Sequence, residues 1–422
     1  MYETTGTGER SPGLEMSGGI TRLDGAALRL RLDTYLKSSG EELVAFRRDL
    51  HRHPELGREE VRTSRQIFKR LKAAGLNPRM LRCGTGLICE FGPKTNAPVI
   101  ALRAELDALP VQEENDVEYR SEVDGKAHAC GHDVHIAVVL GTGLFLAELH
   151  KRGLLPGRVR LIFEPAEEMI PCGALDVIEE GGIDGVDRIY TVHGWPHLPV
   201  GTFGTYVGAV TSACDQVVVN VTGPGGHTSR PQLTADVVFA LAKIVTEVPA
   251  ALSRRVAPQA GLSLVWGEIH AGEAFNRIPA SGTAQGSVRC RDNEAWEQAP
   301  ELVKDLVAAE ASKFKAEAEV EYLRGMPASV NDAESVQPFH DAAAFLLGKN
   351  AIVPDVASLG GDSFGYYQMR IPGAYLWMGT AAPDSAEGID LHQGGYNPDE
   401  RCIPATVKVL AGTVLTAQGL VL

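Results

Sequence analysis

A chain of 422 residues is long for one ordinary core and comfortable for two domains. Its 44% hydrophobic and 22% charged residues are those of a globular protein, which excludes a disordered or fibrous chain. With 40 Lys and Arg against 54 Asp and Glu, the formal net charge of -14 repels phosphate backbones and anionic lipid surfaces, so neither nucleic acid nor membrane is an expected partner.

Residues 1–25, rich in Gly, Ser, Thr and Glu, read as a mobile tail. From Glu41, Leu43, Val44, Phe46 and Leu50 recur at helical spacing; after HPELG a second such stretch carries Val61, Ile67 and Leu71 and ends at Gly75. APVIALRAELDALPV (97–111) contains a buried strand at 99–102 whose carboxyl end delivers Arg103, Glu105 and Asp107. GRVRLIFEPAEE (157–168) is a strand ending in carboxylates, and RIYTVHGWP (188–196) one ending in a histidine. Helical stretches at 132–151 and 172–181 alternate with these strands, which predicts an α/β fold with a central, mostly parallel sheet. Ligands in such sheets sit outside the carboxyl ends of the strands.

From about Cys214 the texture changes to DQVVVNVTG, a Gly/Pro turn, a helical stretch at 235–253, the strand-like runs LSLVWGEIHAG and GTAQGSVRCR, and a long helical stretch at 293–315. A helix at 335–347 and the strand-like GAYLWMGT then follow. We therefore expect a smaller α+β module at 213–323, inserted into a larger domain made of 26–212 and 324–422. Seven scattered cysteines and no leader-like start predict a reducing, cytoplasmic setting. The longest apolar runs, such as 136–140, fall short of the roughly 20 residues of a membrane span.

HACGHDVH (128–135) gathers three histidines, a cysteine and an aspartate just before an apolar run. Cys130, His132, Glu168, His193 and His392 are the candidate metal ligands, being the thiolate, imidazole and carboxylate donors that zinc-like ions take. Five donors exceed one tetrahedral ion and argue for two ions, able to hold a bridging hydroxide and polarise a carbonyl. Each residue alone is more often an ordinary core residue; their convergence on successive strand ends favours the site. His128, Asp133 and His135 are candidates for orienting the ligands. In EPAEE (164–168), adjacent carboxylates close behind a buried run suggest Glu168 for metal and Glu167 as general base. GPGGHTSRP places His227 on a Gly-rich loop, where it could donate to a developing oxyanion, although a plain turn reads equally well. Asn276, in NRIP, and Arg289 offer donors suited to a substrate carboxylate, and GGDSFGYY and LHQGGYNPDE bring Asp362 and His392 late on Gly-rich turns.

HRHPELG, ALRAELDALP, HACGHDVH, EPAEE, VHGWP, GPGGHTSRP, NRIP and LHQGGYNPD resemble, in order, the motifs of the amidohydrolase branch of the dinuclear-metal aminoacylase/carboxypeptidase family. That branch includes hippurate hydrolases, auxin-conjugate hydrolases and N-acyl-L-amino acid deacylases. The resemblance runs from about residue 42 to the C-terminus. It implies two divalent ions (Zn, Mn, Co or Ni) on Cys130, His132, Glu168, His193 and His392, with Glu167 as catalytic base. It also implies a catalytic α/β domain interrupted by a lid and dimerisation domain, and a homodimer in which His227 reaches the partner's oxyanion. Asp107, Glu105, Asp133 and Asp362 are expected to support the ligands from behind. The chain departs from the pattern at Glu105, where the family has RADMDALP; at Glu164, where it has QPAEE; and at Asp362 and Ser363, where it has a Glu-Asp-Phe run. The expected reaction is hydrolysis of an N-acyl amino acid or related N-acyl amine through metal-bound hydroxide. The rivals are a dipeptidase or carboxypeptidase on the same scaffold and a non-enzymatic metal-binding protein.

Overall fold

The structure, a computed structural model, describes residues 23–382 and 389–422. Residues 1–22 of the expected tail lie outside the described residues. Leu23 is buried, and Asp24 accepts from the Ala27 N–H to cap a helix, Gly25–Arg52, that starts well before the periodicity seen at Glu41. Ser38, Ser39 and Gly40 look like a break in the sequence, yet the Ser38 hydroxyl donates back to the Tyr35 carbonyl (2.9 Å) and the helix runs through. Leu28 and Leu32 therefore join Leu43, Phe46 and Leu50 in the core.

Among the described residues, eight strands form the main sheet. Its centre, in spatial order Val159–Glu164, Ile100–Glu105, Arg188–Pro199 and Gly373–Ala381, is parallel throughout. All six residues of Ile100–Glu105 are buried, as expected for a parallel strand covered on both faces. On one flank, Leu87–Phe91 and Arg79–Met80 join antiparallel. On the other, Phe203–Gly204 is antiparallel to Gly373–Ala381 and carries Ile352–Val353 in parallel, so the sheet is mixed with a parallel centre.

Side chains alternate across it. Ile100 and Leu102 share a core with the helices Gly25–Arg52, His132–Lys151, Ala333–Leu347 and Cys402–Ala417, whereas Ala101, Ile162 and Ile189 pack with Ala174, Val177 and Tyr367 on the opposite face. The helix His132–Lys151 is long and apolar enough, by length and composition, to cross a membrane, contrary to the expectation from run lengths. Yet 89% of its apolar window is buried inside the fold, as befits a central core helix.

Residues 213–326 build a four-stranded antiparallel sheet in the order Ser263–Ala271, Ser281–Cys290, Ala213–Thr222, Glu317–Met326. Val217, Val219 and Val221 turn one face towards the helices Val237–Leu252 and Asn293–Ser312, making a separate hydrophobic core. Asp236 and Asp292 cap those two helices through their side chains. The chain then returns and lays Gly373–Ala381 beside Arg188–Pro199, so strands from both sides of this segment complete the large sheet.

Candidate active site

Cys130 and His132 flank Gly131, whose φ of 84° is the left-handed conformation that glycine adopts without penalty. A Cβ there would meet the Tyr396 ring at 3.3 Å. The turn starts the helix at His132 and sends both side chains to the carboxyl ends of the central strands. There, ligand atoms of Cys130, His132 and Glu168 lie within 4.8 Å of one another. His193 Nε2 is 3.4 Å from Cys130 Sγ, and His392 Nε2 is 3.1 Å from Glu168 Oε1, so all five candidate ligands form one continuous cluster.

Hydrogen bonds fix the tautomers. His132 Nδ1 donates to the Asp107 carbonyl (2.9 Å) and His193 Nδ1 to the Gly194 carbonyl (3.0 Å), because a carbonyl oxygen only accepts. Each ring is left with an Nε2 lone pair facing the cluster, the second-partner arrangement usual for metal-binding histidines. His132 Nε2 and Asp107 Oδ1 are buried without a hydrogen-bond partner among the described residues, which in a native core calls for an ion or water. Burial, followed by the Glu168 charge, pushes the Cys130 thiol well above its ordinary range, so a thiolate here requires a cation. The donor set fits divalent metal ions.

A second cluster, Glu105, His132, His135 and His193, also has ligand atoms within 4.8 Å of one another. Unlike the Nε2 atoms of His132 and His193, the acceptor positions of His135 and Glu105 are already taken. His135 Nε2 accepts from the Gly194 N–H (2.9 Å), so Nδ1 bears the proton and donates to Glu105 Oε2 (3.0 Å), while Glu105 Oε1 receives Arg103. These residues brace His193 from behind and offer no open coordination.

Glu167 stands on the turn after Val159–Glu164. Ala166, at φ 51°, is held by its N–H donating to Glu60 (2.6 Å), and the Glu168 N–H donates to Asp107 Oδ2 (2.9 Å). Glu167 Oε1 accepts from the Ser363 N–H (3.1 Å). Burial, then the neighbouring Asp362 and Glu168 carboxylates, push its carboxyl well above the ordinary range, as suits a proton carrier. Burial likewise raises Asp362 to about 6.

Asp133 sits apart. It is paired with Arg47 Nε (2.7 Å) and His51 Nδ1 (2.7 Å), and His51 reaches on to Glu113. His128 is buried, with neither ring nitrogen partnered among the described residues, and burial lowers it to about 3. Arg289 lines a cavity of about 300 Å³ with Cys130, Glu167, Glu168, His193 and His392. Asn276 and His227 do not line it. His227 is exposed on the short strand Gly226–His227, its Nδ1 accepting from Ser229, and the Asn276 carbonyl accepts from the Thr228 N–H. Trp195, Tyr375 and Trp377 form an aromatic wall of the cavity that the motif reading missed; only the aromatic content of HGWP and GAYLWMGT could have signalled it.

Residues 101–416 match the model for peptidase family M20/M25/M40. A Rhodococcus jostii protein named as a glutamate–cysteine ligase is 40% identical over 374 residues, 88% of this chain, although the chain spans only 46% of that protein. The N-acetylcysteine deacetylase of Bacillus subtilis is 34% identical over 379 residues, covering 89% of this chain and 96% of its own. The crystal structure of a dinuclear metal binding peptidase of the M20 family from Bacillus subtilis matches with a TM-score of 0.78 at 32% identity, covering 91% of this chain and 100% of that one. With the family's pattern matched from residue 101 to 416 and relatives aligned along most of its length, this chain belongs to peptidase family M20/M25/M40, as a metal-dependent amidohydrolase.

Proposed function

We propose that the protein cleaves the amide bond of an N-acyl amino acid, or a related N-acyl amine, with Glu167 moving the proton. Cys130, His132, Glu168, His193 and His392 would hold two divalent ions of the zinc, manganese, cobalt or nickel class, which when bound lower the pKa of water and polarise a carbonyl oxygen. The Glu167 carboxylate takes a proton from the attacking water as the C–O bond forms, then gives it to the nitrogen as the C–N bond breaks. The products are a carboxylic acid and a free amine. Arg289, at the cavity wall, suits a substrate carboxylate.

The observation that carries this reading is geometric: the buried Glu167 shares one cavity with the metal candidates Cys130, Glu168, His193 and His392, beside the unpartnered His132 Nε2 and Asp107 Oδ1. The deacetylase likeness supports the acyl amino acid class. We assign 213–323 as lid and dimerisation module, its support being the separate core and the exposed Val265, Ile269 and Phe275. Asn276 and His227 would serve the partner's cavity in a homodimer, since neither lines that of its own chain. Seven free cysteines favour a cytoplasmic setting.

The test is metal analysis on a preparation also screened for amine release from N-acetyl, N-benzoyl and longer N-acyl amino acids, with peptides alongside. About two metals per chain, as a two-metal site requires, and release abolished by chelator are expected. Turnover of peptides alone would reassign the enzyme as a dipeptidase or carboxypeptidase. A folded protein that takes up no zinc or manganese would sink the assignment.

A further inference from the structure

The positions at which the chain departs from its family's motifs converge on one cation. Arg103, fully buried, points its guanidinium between the ends of two adjacent strands, where Glu105 and Glu164 stand opposite each other in register. Nε donates to Glu164 Oε2 (2.7 Å), one terminal nitrogen to Glu105, and the other to Ser363 Oγ (2.7 Å), with Asp362 Oδ1 3.2 Å away. Ser363 Oγ accepts from Arg103 and its hydroxyl donates to Glu164 Oε1 (2.6 Å), while Tyr367 donates to Glu164 Oε2 (2.9 Å). The hydroxyl thus has no rotational freedom left. The same residue's N–H donates to Glu167 Oε1 (3.1 Å).

We propose that Arg103 is a positioning residue which, through Ser363, fixes the peptide that holds the Glu167 carboxylate in place for proton transfer. This rests on the reading of Glu167 as the base. Three features favour Arg over any other cation. Its planar fork serves three separate acceptors at once, which a lysine ammonium on a flexible stem does not do in fixed geometry. It keeps its charge when buried. It also compensates carboxylates from two strands and the 360–364 loop, which would otherwise repel one another in a dry interior. A second arm runs from Glu105 through His135 to the Gly194 N–H, beside His193, so the one guanidinium braces both sides of the cluster.

The test is a cycle of Ser363→Ala, Arg103→Lys and the double variant, loaded with metal and assayed on an N-acyl amino acid, with a crystal structure of Ser363→Ala. Positioning partners of this kind cost roughly 10–100-fold in activity when removed. A loss of that size in kcat for Arg103→Lys, a smaller loss for Ser363→Ala, and KM nearly unchanged in both are expected. Because Arg103 acts through Ser363, the double variant should lose no more than Arg103→Lys alone. In the crystals, Glu167 should leave the Ser363 N–H or occupy more than one rotamer. Additive losses, or a Ser363→Ala enzyme with native kcat and an unmoved Glu167, would overturn the proposal. Should the unaltered enzyme release no amine from any acyl amino acid, the reading of Glu167 fails instead, while the crystal structure still judges the Arg103–Ser363 tie.

Discussion

Glu167 and Glu168 are neighbours in sequence with opposite surroundings. Glu168 has its N–H on Asp107 and its side chain beside His132 and His392; against the cost of burial, a hydrogen bond from His392 holds its carboxyl below the ordinary range. Glu167 faces Asp362 and, among the described residues, accepts the Ser363 backbone N–H. The one therefore favours its charged form and the other favours holding a proton. Glu167→Gln keeps the shape and the acceptor for Ser363 but removes the exchangeable proton. Metal content and melting temperature should stay as they are, while kcat falls by roughly 10²–10⁴-fold, the usual worth of general acid–base catalysis. Metal analysis, thermal melting and steady-state kinetics on one preparation check all three. Native turnover in the metal-loaded variant would remove Glu167 from the mechanism.

Among the elements, legibility followed the range of the interactions. The strands ending at Glu105 and Glu164 and the helix from His132 were readable because each carries its own pattern: a continuous apolar run closed by charge, or a helical repeat opened by HACG. The start of the helix at Gly25 was hidden by Ser38–Gly40, since a hydroxyl bonding back to its own helix leaves the same letters as a break. Arg103 was seen at a strand end, but its partners Glu164 and Ser363 lie 61 and 260 residues away, and no local spacing reports that. Asp133 shares HACGHDVH with the metal candidates, yet Arg47 and His51 on another helix claim it. The inserted sheet has its own long-range knot in Asp215. Its carboxylate accepts from Trp296 (2.7 Å), Tyr322 (2.7 Å) and the Gly325 N–H (2.8 Å), tying the strand Ala213–Thr222 to a helix and to the strand Glu317–Met326. Asp215→Ala would strand three largely buried donors. At about 1–3 kcal/mol for each unsatisfied group, a loss on the order of 3–5 kcal/mol is expected in denaturant unfolding. A change under about 1 kcal/mol, the net worth of one ordinary hydrogen bond, would mean the knot is not structural.

At the scale of the whole molecule, the two modules pose one problem: the cavity draws Arg289 from the four-stranded inserted sheet, while His227, on the separate pairing of Gly226–His227 with Arg277–Ile278, is exposed to solvent. The strand Ser263–Ala271 lies at the edge of the four-stranded inserted sheet, with Val265 63% and Ile269 49% exposed. An unprotected edge bearing apolar side chains is what a second sheet pairs with, and a twofold interface presents the same patch from both chains. If the partner's cavity is where His227 works, two inactive chains can repair each other. Co-expressed Glu167→Gln and His227→Ala chains would then form mixed dimers in which one cavity has both its own Glu167 and the partner's His227. With random pairing, half the dimers are mixed and half their cavities intact, so about a quarter of the native activity should return, while each variant alone stays inactive. Val265→Lys with Ile269→Lys in both chains should abolish this recovery and halve the mass in solution, as measured by light scattering. Recovery that survives in monomers, or no recovery in a dimer of native mass, would place His227 outside the partner's chemistry.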